Sequence, residues 1–414
     1  MTSAAIATAV EGPQTLFPIV SVDDHIMVAP TLFQDRLPAS AREGAPSMHR
    51  ELRPSIRSAG TQAWGDVWRY EDVEVPIISG HAGAGKPPDE FDMEPMTYDD
   101  IRPGCYDLAP RLADMDLDGV EASVCFPNLF VRFCGQRFAQ ARDKDVALLC
   151  VRAYNDWIVE DWRDASEGRI IPSIIVPLWD VDLAIKELER NASRGVTAVC
   201  FSEIPAYLGL PSMYSRQWEP FFAACAAAEI VINMHVGSSS VVATTSADAP
   251  QVILVANHFG ATSLSLSDWL SCGVFERHPT LKIAYTEGQA GWVPFLMSRL
   301  DKFWHTGSAV AKYDLPKPPS AYLRDHVYFC VFDDPAVLRY LDIVSEDNLC
   351  FETDYPHPDG SWPSSREAAW RQTSGLTPEQ RVKILRDNAA RLYRIERVLN
   401  TTVDLGLVAP TVGS

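Results

Sequence analysis

Short runs of β-branched and apolar residues alternate along this chain with longer segments of helical period, and this alternation constrains the fold more than any other feature. Each run has the length of a strand buried on both faces. The runs occupy residues 18–24, 120–127, 169–178, 196–203, 230–237, 281–287, 326–332 and 348–354. The helical segments occupy residues 138–164, 180–194, 216–229, 258–276, 290–305, 335–343 and 377–398. Eight strands alternating with helices predict an α/β fold, a (β/α)8 TIM barrel.

A doubly wound open sheet is the competing interpretation, because it also alternates parallel strands with helices. The barrel is preferred because no glycine-rich phosphate-binding loop follows the first run.

Two segments fall outside the alternating pattern. Residues 40–105 form a long insertion after strand 1 that is rich in Pro, Gly, Asp and Trp. Loops of this length in a compact domain are usually functional or mobile, so the insertion is predicted to form a lid over the active site. The domain prediction is therefore a flexible N-terminus at 1–15, a single barrel at 16–398 and a C-terminal tail at 399–414.

The composition narrows the possible partners. The 414-residue chain is 47% hydrophobic and has a formal net charge of −19, which argues against a nucleic acid or an anionic membrane as partner. Nine cysteines occur without a CxxC pair, which favours a reducing compartment. No apolar stretch approaches the length of a transmembrane helix. These features predict a cytoplasmic protein that acts on a small-molecule substrate.

Polar side chains end four of the eight predicted strands. Asp23 and His25 end strand 1 two residues apart, so their side chains point to the same side of an extended chain. His235 ends strand 5, Glu287 ends strand 6 and Asp354 ends strand 8. In a (β/α)8 barrel these ends meet at one mouth, where buried carboxylates are costly unless they are paired or coordinated. The pattern predicts a divalent-cation site, and mixed nitrogen and oxygen ligands suit zinc, manganese or iron(II).

Each of these residues also has a purely structural interpretation. Asp23 or its neighbour Asp24 can cap the turn after strand 1, and His235 can be a hydrogen-bonded core histidine. Glu287 can accept hydrogen bonds from loop amides, and Asp354 can cap a turn. The coincidence of ligand-type residues at four strand ends favours the functional interpretation.

Four stretches resemble the amidohydrolase-related family: VDDHI, NMHVG, GVFERHPTLKIAYTEGQAGWVPFLMSRLDK and FETDYPHPDGSWPSS. This family contains aminocarboxymuconate-semialdehyde decarboxylase, the resorcylate and carboxyvanillate decarboxylases and several hydrolases. The resemblance extends from about residue 18 to about residue 395, and TDYPH followed by SWP is its most distinctive part. It implies a distorted (β/α)8 barrel, a homodimer and one divalent metal ion, with zinc ranked before manganese and iron.

The resemblance also implies roles for individual residues, of which Asp354 would both bind metal and handle a proton. The implied metal ligands are Asp23, His25, His235 and Asp354. The sequence departs from the family pattern at Met27, where many members carry a histidine, and at Glu287, where the decarboxylases have a strand-6 histidine. A carboxylate is a poor proton donor at neutral pH unless its pKa is raised.

The departure at Glu287 favours a metal-dependent hydrolase that activates a metal-bound water against a C–N or C–O bond, with Asp354 and Glu287 as catalytic residues. The first alternative is a metal-dependent decarboxylase, a C–C lyase, of an aromatic or unsaturated carboxylic acid, which needs the same ligands. The second is a metal-free lactonase- or hydratase-like barrel, or a non-catalytic binding protein.

Further side chains are candidates for contact with substrate. The predicted substrate-binding residues are His258, His357, His81 and Trp362. Arginines of the insertion could meet a substrate carboxylate, although solvated surface arginines are the default: Arg53, Arg57 and Arg69. Glu203 ends strand 4 where a carbamylated lysine would be needed for a binuclear centre, so one metal and a supporting role for Glu203 are expected. His278 is expected to be structural.

Overall fold

The computed structural model describes residues 17–87, 91–128, 130–241, 244–246, 248–307 and 314–405. The predicted flexible segment 1–15 and residues 406–414 of the predicted tail lie outside the described residues. The strands are β1 Ile19–Ile26, β2 Ser47–Pro54, β3 Gln62–Tyr70, β4 Val73–Pro76, β5 Val120–Pro127, β6 Ile170–Ile174, β7 Ala198–Phe201, β8 Val231–His235, β9 Ile283–Thr286, β10 Val327–Val331 and β11 Leu349–Phe351.

The α-helices are α1 Leu32–Arg36, α2 Leu108–Asp118, α3 Gln136–Ala139, α4 Lys144–Trp157, α5 Val181–Ala192, α6 Glu219–Ala227, α7 Gln251–Ala256, α8 Phe259–Ser271, α9 Val274–Arg277, α10 Val293–Thr306, α11 Leu323–His326, α12 Leu341–Val344, α13 Ser365–Gln372, α14 Pro378–Val382, α15 Asn388–Leu392 and α16 Glu396–Leu399. π-Helical segments continue α4 over Ile158–Asp164 and α14 over Lys383–Asp387. Short 3-10 turns occupy Ala39–Ala41, Ser79–His81, Tyr98–Asp100, Pro103–Cys105, Pro205–Leu208, Met213–Ser215, Pro319–Tyr322, Val337–Tyr340 and Glu346–Asn348.

Eight strands form one sheet in the order β1, β5, β6, β7, β8, β9, β10, β11, and every neighbouring pair is parallel. Every residue of β1, β6, β7, β8, β9 and β11 is buried, which explains why these strands are mostly apolar and do not alternate with exposed polar residues. Helical segments cover the outside of the sheet. The predicted α/β fold with a (β/α)8 barrel is confirmed.

The residues that follow β11 bond to β1 and so connect the last strand of the barrel to the first. The backbone N–H of Asp354 donates to the carbonyl oxygen of Asp23 at 2.8 Å, and the N–H of His25 donates to Tyr355 at 2.6 Å. The N–H of Thr353 donates to the hydroxyl of Ser21 at 3.0 Å. The first and last strands of the barrel therefore meet next to three of the predicted site residues.

The segment between β1 and α2 contains a second, smaller sheet. Strands β2, β3 and β4 pair in antiparallel order, and every residue of β2 is exposed or only partly buried. Trp68 of β3 is buried and stacks on Phe130 at 5.0 Å, whereas Trp64 is 57% exposed. The part of β3 around Trp68 therefore packs on the barrel, whereas its beginning around Trp64 is open to solvent.

The insertion's arginines form ion pairs within that segment. Arg53 pairs with Glu51 and Glu74, and Arg69 pairs with the same two carboxylates at 2.6 and 3.0 Å. Arg57 pairs with Asp92 at 2.6 Å. These contacts correspond to the default interpretation of surface arginines.

Within the described residues, no helix combines the length and the apolar character needed to span a bilayer. All nine cysteines are free, and eight of them are buried. The homodimer and the cytoplasmic location stay predictions.

Candidate active site

The carboxyl end of β1 places two predicted ligands inside the barrel. Asp23 and His25 are both fully buried. The pairing of β1 with β5 shifts register between Ser21 and Asp24, where Val22 and Asp23 of β1 lie opposite the single residue Val124 of β5. Nε2 of His25 lies 3.4 Å from Oδ1 of Asp23, so both side chains point to the same side, as the spacing of two predicts.

His235, the last residue of β8, joins this pair. Its Nδ1 donates a hydrogen bond to the carbonyl oxygen of Val236 at 2.7 Å. This contact holds Nε2 as the free lone pair of the neutral ring, which is the arrangement of a metal-ligating histidine. Nε2 lies 3.2 Å from Oδ2 of Asp23 and 3.1 Å from Nε2 of His25. The ring of Phe133 stacks on His235 at 3.9 Å and covers it.

Asp354 reaches the same point from the residues after β11. Its Oδ1 lies 3.2 Å from Nε2 of His25 and 2.8 Å from Nδ1 of His357. Its backbone has a φ of 51° and packs tightly under Gly360, where a Cβ atom would lie 2.7 Å from the carbonyl oxygen of Asp354. A larger residue at 360 would collide with this turn, which accounts for the glycine in the TDYPHPDG motif.

The carboxylate oxygens of Asp23 and Asp354 test whether a cation fits. All four are buried, and among the described residues none receives a well-aligned hydrogen bond. The ligand atoms of Asp23, His25 and His235 all lie within 4.8 Å of one another, as do those of His25, Asp354 and His357. Ligands about 2.1 Å from a common cation lie roughly 3.0–3.4 Å apart, which is the spacing of the contacts above. These buried, unsatisfied oxygens and convergent imidazole nitrogens fit one divalent cation.

The pKa shifts of the cluster show that its buried carboxylates lack a compensating positive charge. Burial raises the pKa of Asp23 and of Asp354, and the charges of Glu287 and Asp23 raise the pKa of Asp354 further. Burial also lowers the pKa of His25 well below its usual range. Burial alone would lower the pKa of His235, but the carboxylates of Asp23 and Glu287 outweigh it and raise that pKa to about 10. In the metal-free protein a proton on His235 therefore balances part of the carboxylate charge. A bound metal cation would replace that proton.

Glu287, directly after β9, lies at the edge of the cluster. Its Oε2 is 3.6 Å from Nε2 of His235, and its side chain is 16% exposed. Its carboxylate groups with those of Asp354 and Asp359 within 4.8 Å. Burial raises the pKa of Glu287 to about 7 although His235 opposes the shift. A carboxyl group with this pKa can give and take a proton near neutral pH.

Asp24 has the structural role that the sequence left open between it and Asp23. Its Oδ1 accepts hydrogen bonds from the Thr353 hydroxyl at 2.5 Å and from the Tyr355 N–H at 3.1 Å. Its Oδ2 accepts from Arg111 at 2.9 Å and from Ser123 at 2.5 Å. Arg111 is fully buried, lies over the Tyr355 ring at 4.0 Å and donates to the carbonyl oxygen of His25. Asp24 and Arg111 therefore fix the backbone on which the ligands stand.

Two further buried carboxyl groups surround the cluster. Glu203, after β7, accepts a hydrogen bond from Thr262 at 2.7 Å, and burial raises its pKa to about 7. Glu352, after β11, accepts from the N–H of Glu287 at 3.2 Å, and burial raises its pKa well above the usual range. Sequence reasoning placed Glu203 in a supporting position but did not select Glu352, although Glu352 lies at the same strand end as Asp354.

A cavity of about 280 Å³ opens beside the cluster. Three of the four predicted substrate-binding residues line it together with Glu287: His81, His258 and His357. Trp362 does not line it. The Trp362 ring packs instead edge-on against Tyr355 at 6.0 Å and under Arg102 at 4.3 Å. His278, expected to be structural, lies 2.6 Å from Glu219 away from the site.

The chain is similar in sequence to known proteins. A family model described as Amidohydrolase matches residues 66–395. Gamma-resorcylate decarboxylase of Rhizobium sp. (strain MTP-10005) is 22% identical over 300 residues, which cover 69% of this chain and 86% of the relative.

Solved structures share the fold. An amidohydrolase from Mycobacterium avium subsp. paratuberculosis K-10 superimposes with a TM-score of 0.69 and 22% identity, over 92% of this chain and 100% of that one. A dihydroxybenzoic acid decarboxylase from Polaromonas sp. JS666, with bound manganese and the inhibitor 2-nitroresorcinol, superimposes with a TM-score of 0.61 and 17% identity, over 94% of this chain and 100% of that one.

Proposed function

Because the chain belongs to the amidohydrolase family, we propose that it is a metal-dependent decarboxylase of an aromatic or unsaturated carboxylic acid. The observation that carries this proposal is the pair of carboxyl groups of Glu287 and Asp354, which lie together at the edge of the His–Asp cluster. The relatedness to a decarboxylase over 86% of that enzyme's length supports this chemistry over the hydrolysis that the sequence favoured.

One divalent cation is part of the proposal. It would be held by Asp23, His25, His235 and Asp354. When bound, it supplies the positive charge that balances the buried carboxylates and attracts the oxygens of an anionic substrate. Manganese and zinc are both suited to this mixture of imidazole and carboxylate ligands.

Asp354 is the proton donor in this mechanism. In the metal-free protein, burial and the neighbouring Glu287 raise its pKa, so its carboxyl group takes up a proton more readily than that of an ordinary aspartate. The bond between the substrate carbon and its carboxylate breaks, CO₂ leaves, and the electron pair stays on the carbon. That carbon takes the proton of Asp354, which balances the reaction.

Glu287 restores the proton to Asp354. Its pKa of about 7 and its partial exposure allow it to exchange protons with solvent near neutral pH. A carboxyl group can donate a proton near neutral pH only if its pKa is raised. The raised pKa of Glu287 therefore allows it to act where the decarboxylases have a histidine at the end of strand 6.

His357 positions Asp354. Its Nδ1 lies 2.8 Å from Oδ1 of Asp354, and its ring stacks on His25 at 4.0 Å. Burial lowers the pKa of His357 well below its usual range, so the ring is neutral and does not take the proton that the reaction needs.

The test uses protein stripped of metal and then loaded with manganese or zinc, and incubated with 2,6-dihydroxybenzoate in D₂O. We expect CO₂ release and a product with deuterium at the carbon that lost its carboxylate. Asp354→Asn and Glu287→Gln should each lower the rate about 100-fold or more, the usual contribution of a general acid. Asp99→Asn and Glu229→Gln, at carboxylates that are 76% and 77% exposed, are matched controls and should leave it unchanged.

Two outcomes would contradict the proposal. Hydrolysis of aryl lactones or esters through the same two carboxyl groups, without CO₂ release from any aryl carboxylate, would replace decarboxylation by hydrolysis. The metal content after loading is measured by plasma mass spectrometry. A content below about one ion per chain that is the same in His235→Ala would show that the proposed ligands do not bind metal.

A further inference from the structure

The segment after β5 carries two half-buried arginines, Arg132 and Arg137, of which Arg132 lines the cavity. Arg132 lines the cavity together with Phe133, Glu287 and His357. Its neighbour Phe133 is the ring that stacks on His235 at 3.9 Å. Arg132 is thus attached to the residue that covers a proposed metal ligand.

Neither arginine has a carboxylate partner among the described residues. Burial lowers the pKa of Arg132, and the influence that opposes this shift comes from the Cys134 thiol rather than from a carboxylate. Burial also lowers the pKa of Arg137, and the positive charge of Arg132 lowers it further. By contrast, buried Arg111 pairs with Asp24 at 2.9 Å, and part-buried Arg190 pairs with Glu187 at 2.6 Å.

Such an arrangement is costly in the absence of an anion. A partly buried guanidinium loses hydration and is normally compensated by a counter-ion. The chain has 55 acidic residues against 36 basic ones, so acidic side chains are plentiful elsewhere. Arg132 also has a φ of 64°, a left-handed conformation that non-glycine residues adopt at a cost and that recurs at ligand sites.

We propose that Arg132 binds a second anionic group of the substrate, which is therefore an acid with two carboxylates on a small carbon skeleton. This inference rests on the proposed function, in which the first carboxylate lies at the His–Asp cluster. The planar guanidinium group binds a carboxylate through two parallel hydrogen bonds.

The volume of the cavity suits this substrate class, and its acidic side chains make a cationic partner such as Arg132 necessary for binding a dianion. Its volume of about 280 Å³ lies near the lower end of ordinary ligand pockets, roughly 300–1,000 Å³, and suits a single ring. Glu287 and Asp359 also line it, and their negative charges would disfavour a dianion without a cationic group on the same wall.

Calorimetric titration of the manganese-loaded full chain tests the inference, with isophthalate, terephthalate and benzoate as probes. We expect at least one dicarboxylate to bind tenfold or more tightly than benzoate. Arg132→Gln should abolish this preference and change benzoate affinity less than twofold, whereas Arg132→Lys should keep part of it. Arg142→Gln removes one positive charge at a site 69% exposed, and should change neither affinity.

A preference that is absent in the wild-type protein, or that survives in Arg132→Gln, would overturn the inference. A fall in benzoate affinity equal to the fall in dicarboxylate affinity would also overturn it, because the residue would then act on the site as a whole. Metal stoichiometry and decarboxylation in D₂O do not depend on this preference. They therefore separate a failure of this inference from a failure of the proposed function.

Discussion

The adjacent residues Asp23 and Asp24 should respond in opposite ways to the same substitution. Asp24→Asn removes the charge that compensates Arg111, which is fully buried. It also weakens the acceptors that hold Thr353 and Ser123. Removing one partner of a buried ion pair costs about 3–5 kcal/mol, because the other charge stays buried and unpaired.

Asp23→Asn should behave differently in metal-free protein. Neither oxygen of Asp23 receives a well-aligned hydrogen bond from the described residues, and burial raises its pKa, so the fold disfavours its charge. A neutral amide of the same shape relieves that cost but loses the attraction to His235. We expect a net change within about 1 kcal/mol.

These free energies translate into melting temperatures. Unfolding entropy is about 2.1 cal/mol/K per residue, so 414 residues give about 0.9 kcal/mol/K. Asp24→Asn should therefore lower Tm by about 3–6 °C, and Asp23→Asn should change it by about 1 °C or less. Differential scanning calorimetry with EDTA measures both. Added manganese should raise Tm in the wild-type protein, because it binds only the folded state, and should not do so in Asp23→Asn.

The reasoning fails if the two variants lose the same stability in EDTA. It also fails if manganese stabilises Asp23→Asn as much as the wild-type protein, since Asp23 would then not be a ligand.

Two further outcomes follow from the charges of the site. Metal uptake at pH 7 should release at least one proton per chain, because the pKa of His235 is raised to about 10 and the cation displaces its proton. Calorimetric titrations in two buffers of different ionisation enthalpy measure this release. An equal heat in both buffers would contradict it. Glu203 has a pKa raised from 4.5 to about 7, so its contribution to metal-free stability is most favourable below pH 4.5 and declines until about pH 7. Glu203→Gln, which stays neutral, should gain about 3 kcal/mol relative to the wild-type protein between pH 4.5 and pH 8, and a pH-independent difference in urea unfolding would refute this.

The barrel strands were predictable because their signal is local. The run 230–237 contains β8 at Val231–His235, and the run 281–287 contains β9 at Ile283–Thr286. The antiparallel sheet of β2, β3 and β4 was not predicted, since β2 lies at the surface and has no continuous apolar face. Its residues fell inside a segment that composition alone described as an insertion.

The proposed ligands were predictable because the topology of a parallel barrel brings strand ends together whatever the sequence between them. Their supports were not. The contact of Asp24 with Arg111 joins residues 87 positions apart, and its contact with Thr353 joins residues 329 apart. Arg132 could not be selected either, because its significance lies in the lack of a partner, which only the folded chain reveals.

The join between the two ends of the strand order has a consequence for biosynthesis. Asp23 and His25 belong to the first barrel strand, whereas Asp354, whose N–H bonds to the carbonyl of Asp23, follows the last one. A chain in which β11 has not yet been synthesised therefore holds only some of the proposed ligands, and the full set comes together in the same event that closes the barrel. Under the proposed function, metal capture would wait for the last barrel strand, and a tightly held ion would mark chains whose barrel has closed.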